Sequence, residues 1–185
     1  KNDLVELIPA RTLYMEHVAR IVDLPAIKRA NLNIILDCMF GSGINYLPEI
    51  LSPGSTEVTQ ISEQINPNFP TINQPEAIEA DLSELISVVA SDEDVDIGLA
   101  FDGDADRIGV TDETGRYIST LDTFSLLAYY FLAYKKQKEP IVKSITHSDM
   151  INKLCEEYDV ELYETAVGFK NLGPKMMETG AMLAG

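Results

Sequence analysis

The chain has 185 residues, room for one large domain or two small ones, and its 45% hydrophobic and 24% charged content allows a sizeable core. A formal net charge of −16 excludes the basic surface that nucleic acid or an anionic membrane needs, and no run is long and apolar enough for a membrane span. Cys38 and Cys155 have neither paired spacing nor neighbouring histidines, which predicts reduced, partly buried thiols in a cytoplasmic protein rather than a disulfide or zinc site. No signal peptide opens the sequence. It begins at Lys1 without a methionine and stops on a strand-like run at Gly185, as expected of a piece of something longer.

In chain order, apolar spacing predicts a helix over 12–24, ending before Pro25, and a short strand over Asn33–Asp37. A "GSG" turn at Gly41–Gly43 leads to a helix over 44–51 and a strand over 56–61. An irregular, proline-bearing loop fills Asn66–Pro75. Residues 77–90 predict one amphipathic helix with Ile78, Leu82, Leu85, Ile86 and Val89 on its buried face. Strands at 96–101 and 107–112 follow, with a hairpin-type turn at Thr114–Gly115. The pattern then restarts: a helix over 120–137 capped by Thr120 or Asp122, a strand over 140–145, and a helix capped by Ser148. A strand over 160–165, a loop at Gly168–Lys170, a short helix over 172–180 and a final strand complete the series. Strand and helix alternate twice over. This predicts an α/β fold of two consecutive units, each a mixed sheet packed by helices, covering 1–118 and 119–185.

The chemistry concentrates in "FDGDADR", where Asp102, Asp104 and Asp106 alternate and Arg107 follows. A polar turn explains one or two aspartates better than three. Asp102, Asp104, Asp106 and Glu113 fit positions one, three, five and twelve of an EF-hand, but Arg107 stands where that loop needs glycine, and strands rather than helices flank it. The reading that remains is a hard-oxygen site for a dication serving phosphate chemistry, with the Arg107 fork facing the same phosphate. A haloacid-dehalogenase-type phosphatase ranks well below, because its companion Thr/Ser and Lys motifs are not convincingly placed. Ser42 lies outside a nucleophile-elbow frame, the glycines do not spell a dinucleotide motif, and His17 and His147 have no positioned partner in the sequence.

The six residues "DGDADR" between two strands resemble the metal-binding loop of the α-D-phosphohexomutases, the phosphoglucomutase/phosphomannomutase superfamily. "MFGSGINYLPEIL" resembles the family's glycine-bearing strand-to-helix segment, and "PNFPTINQPEAIEADLSELI" its loop with a Pro-Glu step before a helix. "VGFKNLGPKMMETGAMLAG" is similar to its sugar-recognition loop and the run leading towards a "GEESGG"-type motif. The resemblance covers domain 2 and most of domain 3. It implies that Asp102, Asp104 and Asp106 each give an oxygen to Mg²⁺ and that Arg107 serves the phosphoryl group. It further implies substrate contacts from Lys143, Gly168, Phe169 and Lys170, with "GFK" favouring glucose phosphate over mannose phosphate. An exposed lysine at a strand end is the competing reading of Lys143. The implied activity is intramolecular phosphotransfer between hexose 1-phosphate and hexose 6-phosphate through an enzyme phosphoserine and a bisphosphate. These residues contain no "TASHNP"-like serine motif, so the piece alone is expected to be inactive. The alternative is a non-catalytic, metal-dependent phosphosugar-binding module. Oligomeric state is not legible.

Overall fold

The computed structural model describes residues 6–185, which fall into two compact units with the break between Tyr117 and Ile118. The first contains helices α1 (Ala10–Ile21), α2 (Leu24–Lys28), α3 (Tyr46–Leu51) and α4 (Ser83–Ala90). Its strands are β1 (Asn33–Asp37), β2 (Glu57–Ile61), β3 (Ile97–Phe101) and β4 (Ile108–Thr111), and β5 (Tyr117–Ile118), within which the break falls, is the edge strand of the same sheet. The sheet order is β2-β1-β3-β4-β5. The first three strands are parallel, and β4 runs antiparallel to β3. The continuous apolar run of β1 reflects this central place, since Ile34, Ile35 and Leu36 are all buried between neighbours. Leu82, Leu85 and Val89 pack onto the sheet with no exposed surface, each adding about 2 kcal/mol of burial.

Local chemistry moves several expected boundaries. The helix expected over 12–24 ends at Ile21, and α2 begins at Leu24 with Pro25 in its first turn. Proline is tolerated there because a first-turn N–H has no helical acceptor, and the Asp23 side chain caps the turn by accepting from Ala26 N–H. None of the α1 residues is buried; the helix is held instead by Arg11, which pairs with Glu49 at 2.6 Å and lies 4.0 Å over the Tyr46 ring. The helix expected over 77–90 divides into a 3-10 turn at Glu79–Asp81 followed by α4, and Ile78, expected in the core, is exposed on extended backbone.

The second unit contains α5 (Thr120–Tyr129), β6 (Ile141–Ser144), α6 (Met150–Tyr158), β7 (Leu162–Thr165), α7 (Phe169–Thr179) and β8 (Leu183–Ala184). Its sheet, ordered β7-β6-β8, is wholly parallel, where a mixed sheet was expected. Ser119, rather than Thr120 or Asp122, is the cap of α5: its hydroxyl accepts from Asp122 N–H at 3.1 Å and donates to Asp122 Oδ2 at 2.7 Å. Beyond Tyr129 the helix widens to π geometry through Tyr134. The Ser148 hydroxyl accepts from Met150 N–H at the start of α6. Phe169 and Lys170, expected in a loop, form the first turn of α7, and Gly168 stands just before it at φ 111°. Only glycine adopts that backbone readily, which places the helix start there.

Candidate metal centre

Because β4 returns antiparallel to β3, residues 102–107 alone connect them, where a parallel return would need a long crossover. This short connection crowds the alternate aspartates. The backbone closes as Asp102 N–H donates to Arg107 O and Ala105 N–H to Asp102 O, with Ala105 in the left-handed region at φ 62°. Such a conformation costs a non-glycine residue about 1–2 kcal/mol, and it is held here by neighbouring segments. Gly103 N–H donates to Pro75 O at 2.9 Å, and Ser42 N–H to Gly103 O at 3.0 Å. Gly41 has no space for a side chain: a Cβ there would overlap the Gly103 carbonyl oxygen and lie 2.9 Å from Gly103 Cα. The "GSG" turn is thus a buttress for the acidic loop, and Ser42 serves through its amide.

Asp102, Asp104 and Asp106 each offer a carboxylate oxygen, all within 4.8 Å of one another. The widest oxygen–oxygen separation around an octahedral dication with bonds near 2.1 Å is about 4.2 Å. Asp102 is fully buried, whereas Asp104 and Asp106 are exposed, so rotation of their side chains can close that difference. All-oxygen, anionic donors suit Mg²⁺ rather than a thiol- or imidazole-seeking metal, so the residues fit that ion. Burial pushes the Asp102 carboxyl upward, but the backbone and side-chain hydrogen bonds from Arg107 outweigh it and hold the group below the usual carboxylate range.

Arg107 bends towards the loop. Its backbone N–H donates to Asp102 Oδ1 at 3.0 Å and its Nε to Asp102 Oδ2 at 2.8 Å. Nε lies 3.4 Å from Asp106 Oδ1, and Nη1 lies 3.3 Å from Glu76 Oε2. A hollow of about 430 Å³ opens beside this cluster, lined by Phe69, Gln74, Pro75, Glu76, Asp102, Gly103, Asp104 and Arg107. Glu76 was not singled out in the sequence. Its Pro-Glu step was visible, but a single exposed glutamate carries no signal of which cation it meets.

The other expected residues lie in the second unit. Lys143 is buried, which corrects the reading of an exposed strand-end lysine. It stands opposite Glu164 in the parallel register of β6 and β7, with Nζ 3.2 Å from Glu164 Oε2. Gly168, Phe169 and Lys170 follow β7 at the same carboxyl edge, where open α/β sheets bind ligands; Phe169 and Lys170 are exposed. His147 does have partners: Nδ1 accepts from Ser148 N–H at 2.9 Å, and its ring centroid lies 4.4 Å from that of Phe124. Burial, reinforced by Lys143, lowers its pKa. Both cysteines are free and buried, and no helix among the described residues is long and apolar enough to cross a membrane.

Residues 12–115 match the family description "Phosphoglucomutase/phosphomannomutase, alpha/beta/alpha domain II", and residues 122–185 match domain III of the same family. A phosphoglucosamine mutase of Sulfurovum sp. (strain NBC37-1) is 34% identical over 84% of this chain and 34% of its own length. A phosphoglucomutase/phosphomannomutase of Thermococcus kodakarensis is 28% identical over 93% of this chain and 37% of its own. The X-ray structure of a phosphoglucomutase/phosphomannomutase family protein from Burkholderia thailandensis superimposes with a TM-score of 0.81 at 25% identity, covering 97% of this chain and 38% of that one. The chain therefore spans little more than a third of the relatives it matches. With both of its α/β units matched, it belongs to the phosphoglucomutase/phosphomannomutase family of α-D-phosphohexomutases and carries that family's domains II and III.

Proposed function

We propose that the chain supplies the metal cradle and part of the sugar-reading surface of an enzyme that interconverts hexose 1-phosphate and hexose 6-phosphate. The observation that carries this reading is the convergence of three carboxylates with one guanidinium bound to them at the carboxyl end of β3. Asp102, Asp104 and Asp106 hold Mg²⁺, which when bound supplies positive charge to the oxygens of a transferring phosphoryl group. Arg107, whose side chain is more than half exposed, donates from its guanidinium to another oxygen of that group. Phosphoryl transfer depends on positioning and charge neutralisation, so these side chains act without covalent chemistry. The accepted phosphoryl group comes from a phosphoserine outside these residues, passes through a hexose bisphosphate, and is replaced on the serine by the sugar's other phosphate.

In the second unit, Phe169 and Lys170 read the sugar, with Lys170 adding its charge to the positive end of α7. Lys143 meets a substrate oxygen when half-exposed Glu164 yields its place. The named relatives keep glucose, mannose and glucosamine phosphates in the substrate class, and "GFK" favours glucose phosphate. The chain alone is proposed to give no turnover. The test is an assay of the full-length protein with the 1-phosphates of glucose, mannose and glucosamine, with and without Mg²⁺. Mg²⁺-dependent turnover, lost on Asp104→Asn with the fold retained, is expected. Wild-type rates from that variant would overturn the metal assignment, while sugar-phosphate binding without turnover would favour a non-catalytic binding module.

A further inference from the structure

Three carboxylates surround the Arg107 guanidinium, and they are not equivalent. Asp102 and Asp106 approach its Nε and belong to the convergent triad. Glu76 approaches Nη1 and lies outside that triad. Its backbone is fixed by tight turns on both sides, Glu76 N–H donating to Gln74 O at 2.7 Å and Ile78 N–H to Glu76 O at 2.8 Å. Pro75, immediately before it, holds the acidic loop through Gly103 N–H. Glu76 is therefore carried on a segment registered to the loop.

A dication drawing on Asp102 and Asp106 competes with Arg107 for the same oxygens and repels its charge. Glu76 is then the carboxylate left to the guanidinium. Resting on the reading in the preceding section, we propose that Glu76 is a positioning residue: it anchors Arg107 through Nη1, draws it off the metal oxygens, and leaves the rest of the half-exposed guanidinium for a phosphate oxygen. Without Glu76, Arg107 has, among the described residues, only carboxylates of the triad to pair with, and it opposes metal binding.

A double-mutant cycle on this chain separates that role from simple attraction between Glu76 and the cation. Mg²⁺ affinity is measured by calorimetry at low ionic strength for the wild type, Glu76→Gln, Arg107→Gln and the double variant, with thermal melts to verify folding. Glu76→Gln is expected to weaken Mg²⁺ binding about two- to fivefold, the range of an exposed ion pair, and to have almost no effect once Arg107 is replaced. In the Mg²⁺-loaded chain the Arg107 Nε–Hε NMR signal shifts on Glu76→Gln and returns towards its wild-type position with Glu76→Asp. An equal loss of affinity in both Arg107 backgrounds, or an Arg107 signal indifferent to Glu76, overturns the positioning role and leaves the metal assignment standing. A wild-type chain that binds no Mg²⁺ overturns the metal assignment itself, and the positioning role with it.

Discussion

The two units hold mirror-image ion pairs. In the first, the carboxylate of Asp102 is 1% exposed and its partner Arg107 is 57% exposed. In the second, the ammonium of Lys143 is 3% exposed and its partner Glu164 is 51% exposed. Removing a charge from water is costly unless it stays paired, whereas a half-exposed partner can be exchanged cheaply. A buried acid at a loop thus creates a place for cations, either a guanidinium or a metal ion. A buried lysine at a strand end creates a place for anions, either a carboxylate or an oxygen of a sugar phosphate. The chain thus carries a buried acid at the carboxyl end of β3 in one unit and a buried lysine at the carboxyl end of β6 in the other.

The comparison can be broken most severely away from any charge. Gly41→Ala puts a methyl into the Gly103 carbonyl, so either the loop or its buttress must move. A loss of about 3 kcal/mol in chemical denaturation, together with loss of Mg²⁺ binding, is expected; unchanged stability and affinity would mean that the glycine turn does not set the loop. The mirror itself is tested next, by removing the exposed or the buried member of the second pair. Glu164→Gln strands a buried ammonium and should cost about 2 kcal/mol, while Lys143→Met leaves a carboxylate that water can reach and should cost less than about 1 kcal/mol. Equal costs would show that burial of Lys143 is not what makes the pair asymmetric.

The smallest effect concerns the thiols. Burial, aided by Asp37 and Glu63, pushes Cys38 up to about 12, whereas Cys155 is raised by burial but pulled down by Lys143. Alkylation near pH 8 followed by mass spectrometry should therefore modify Cys155 before Cys38, and Lys143→Met should narrow the difference. Faster labelling of Cys38 would contradict that electrostatic contrast.

Periodicity and composition made the alternation of strands and helices legible, and "DGDADR" made the acidic loop legible, because both are local signals. What escaped is non-local or depends on backbone detail. The register that buries Lys143 opposite Glu164 links two strands separated by a whole helix, and nothing in "IVKSI" announces it. The sequence gives no hint that Arg107 rests on Glu76, since that contact depends on how the proline-bearing loop folds over the hairpin. Helix α2 was missed because Pro25 reads as a stop, although it is acceptable in a first turn. The early start of α7 was hidden by Gly168 and by Pro174 inside the helix, both of which read as loop residues.

The most direct test is an amide NMR titration of this chain with Mg²⁺, alongside Asp104→Asn. Saturable shifts centred on residues 102–107 and reaching Ser42 and Pro75's neighbour Glu76, absent in the variant while its spectrum stays folded, are the predicted result. A wild-type spectrum in which those amides ignore Mg²⁺, or a variant that responds as strongly, would contradict the account.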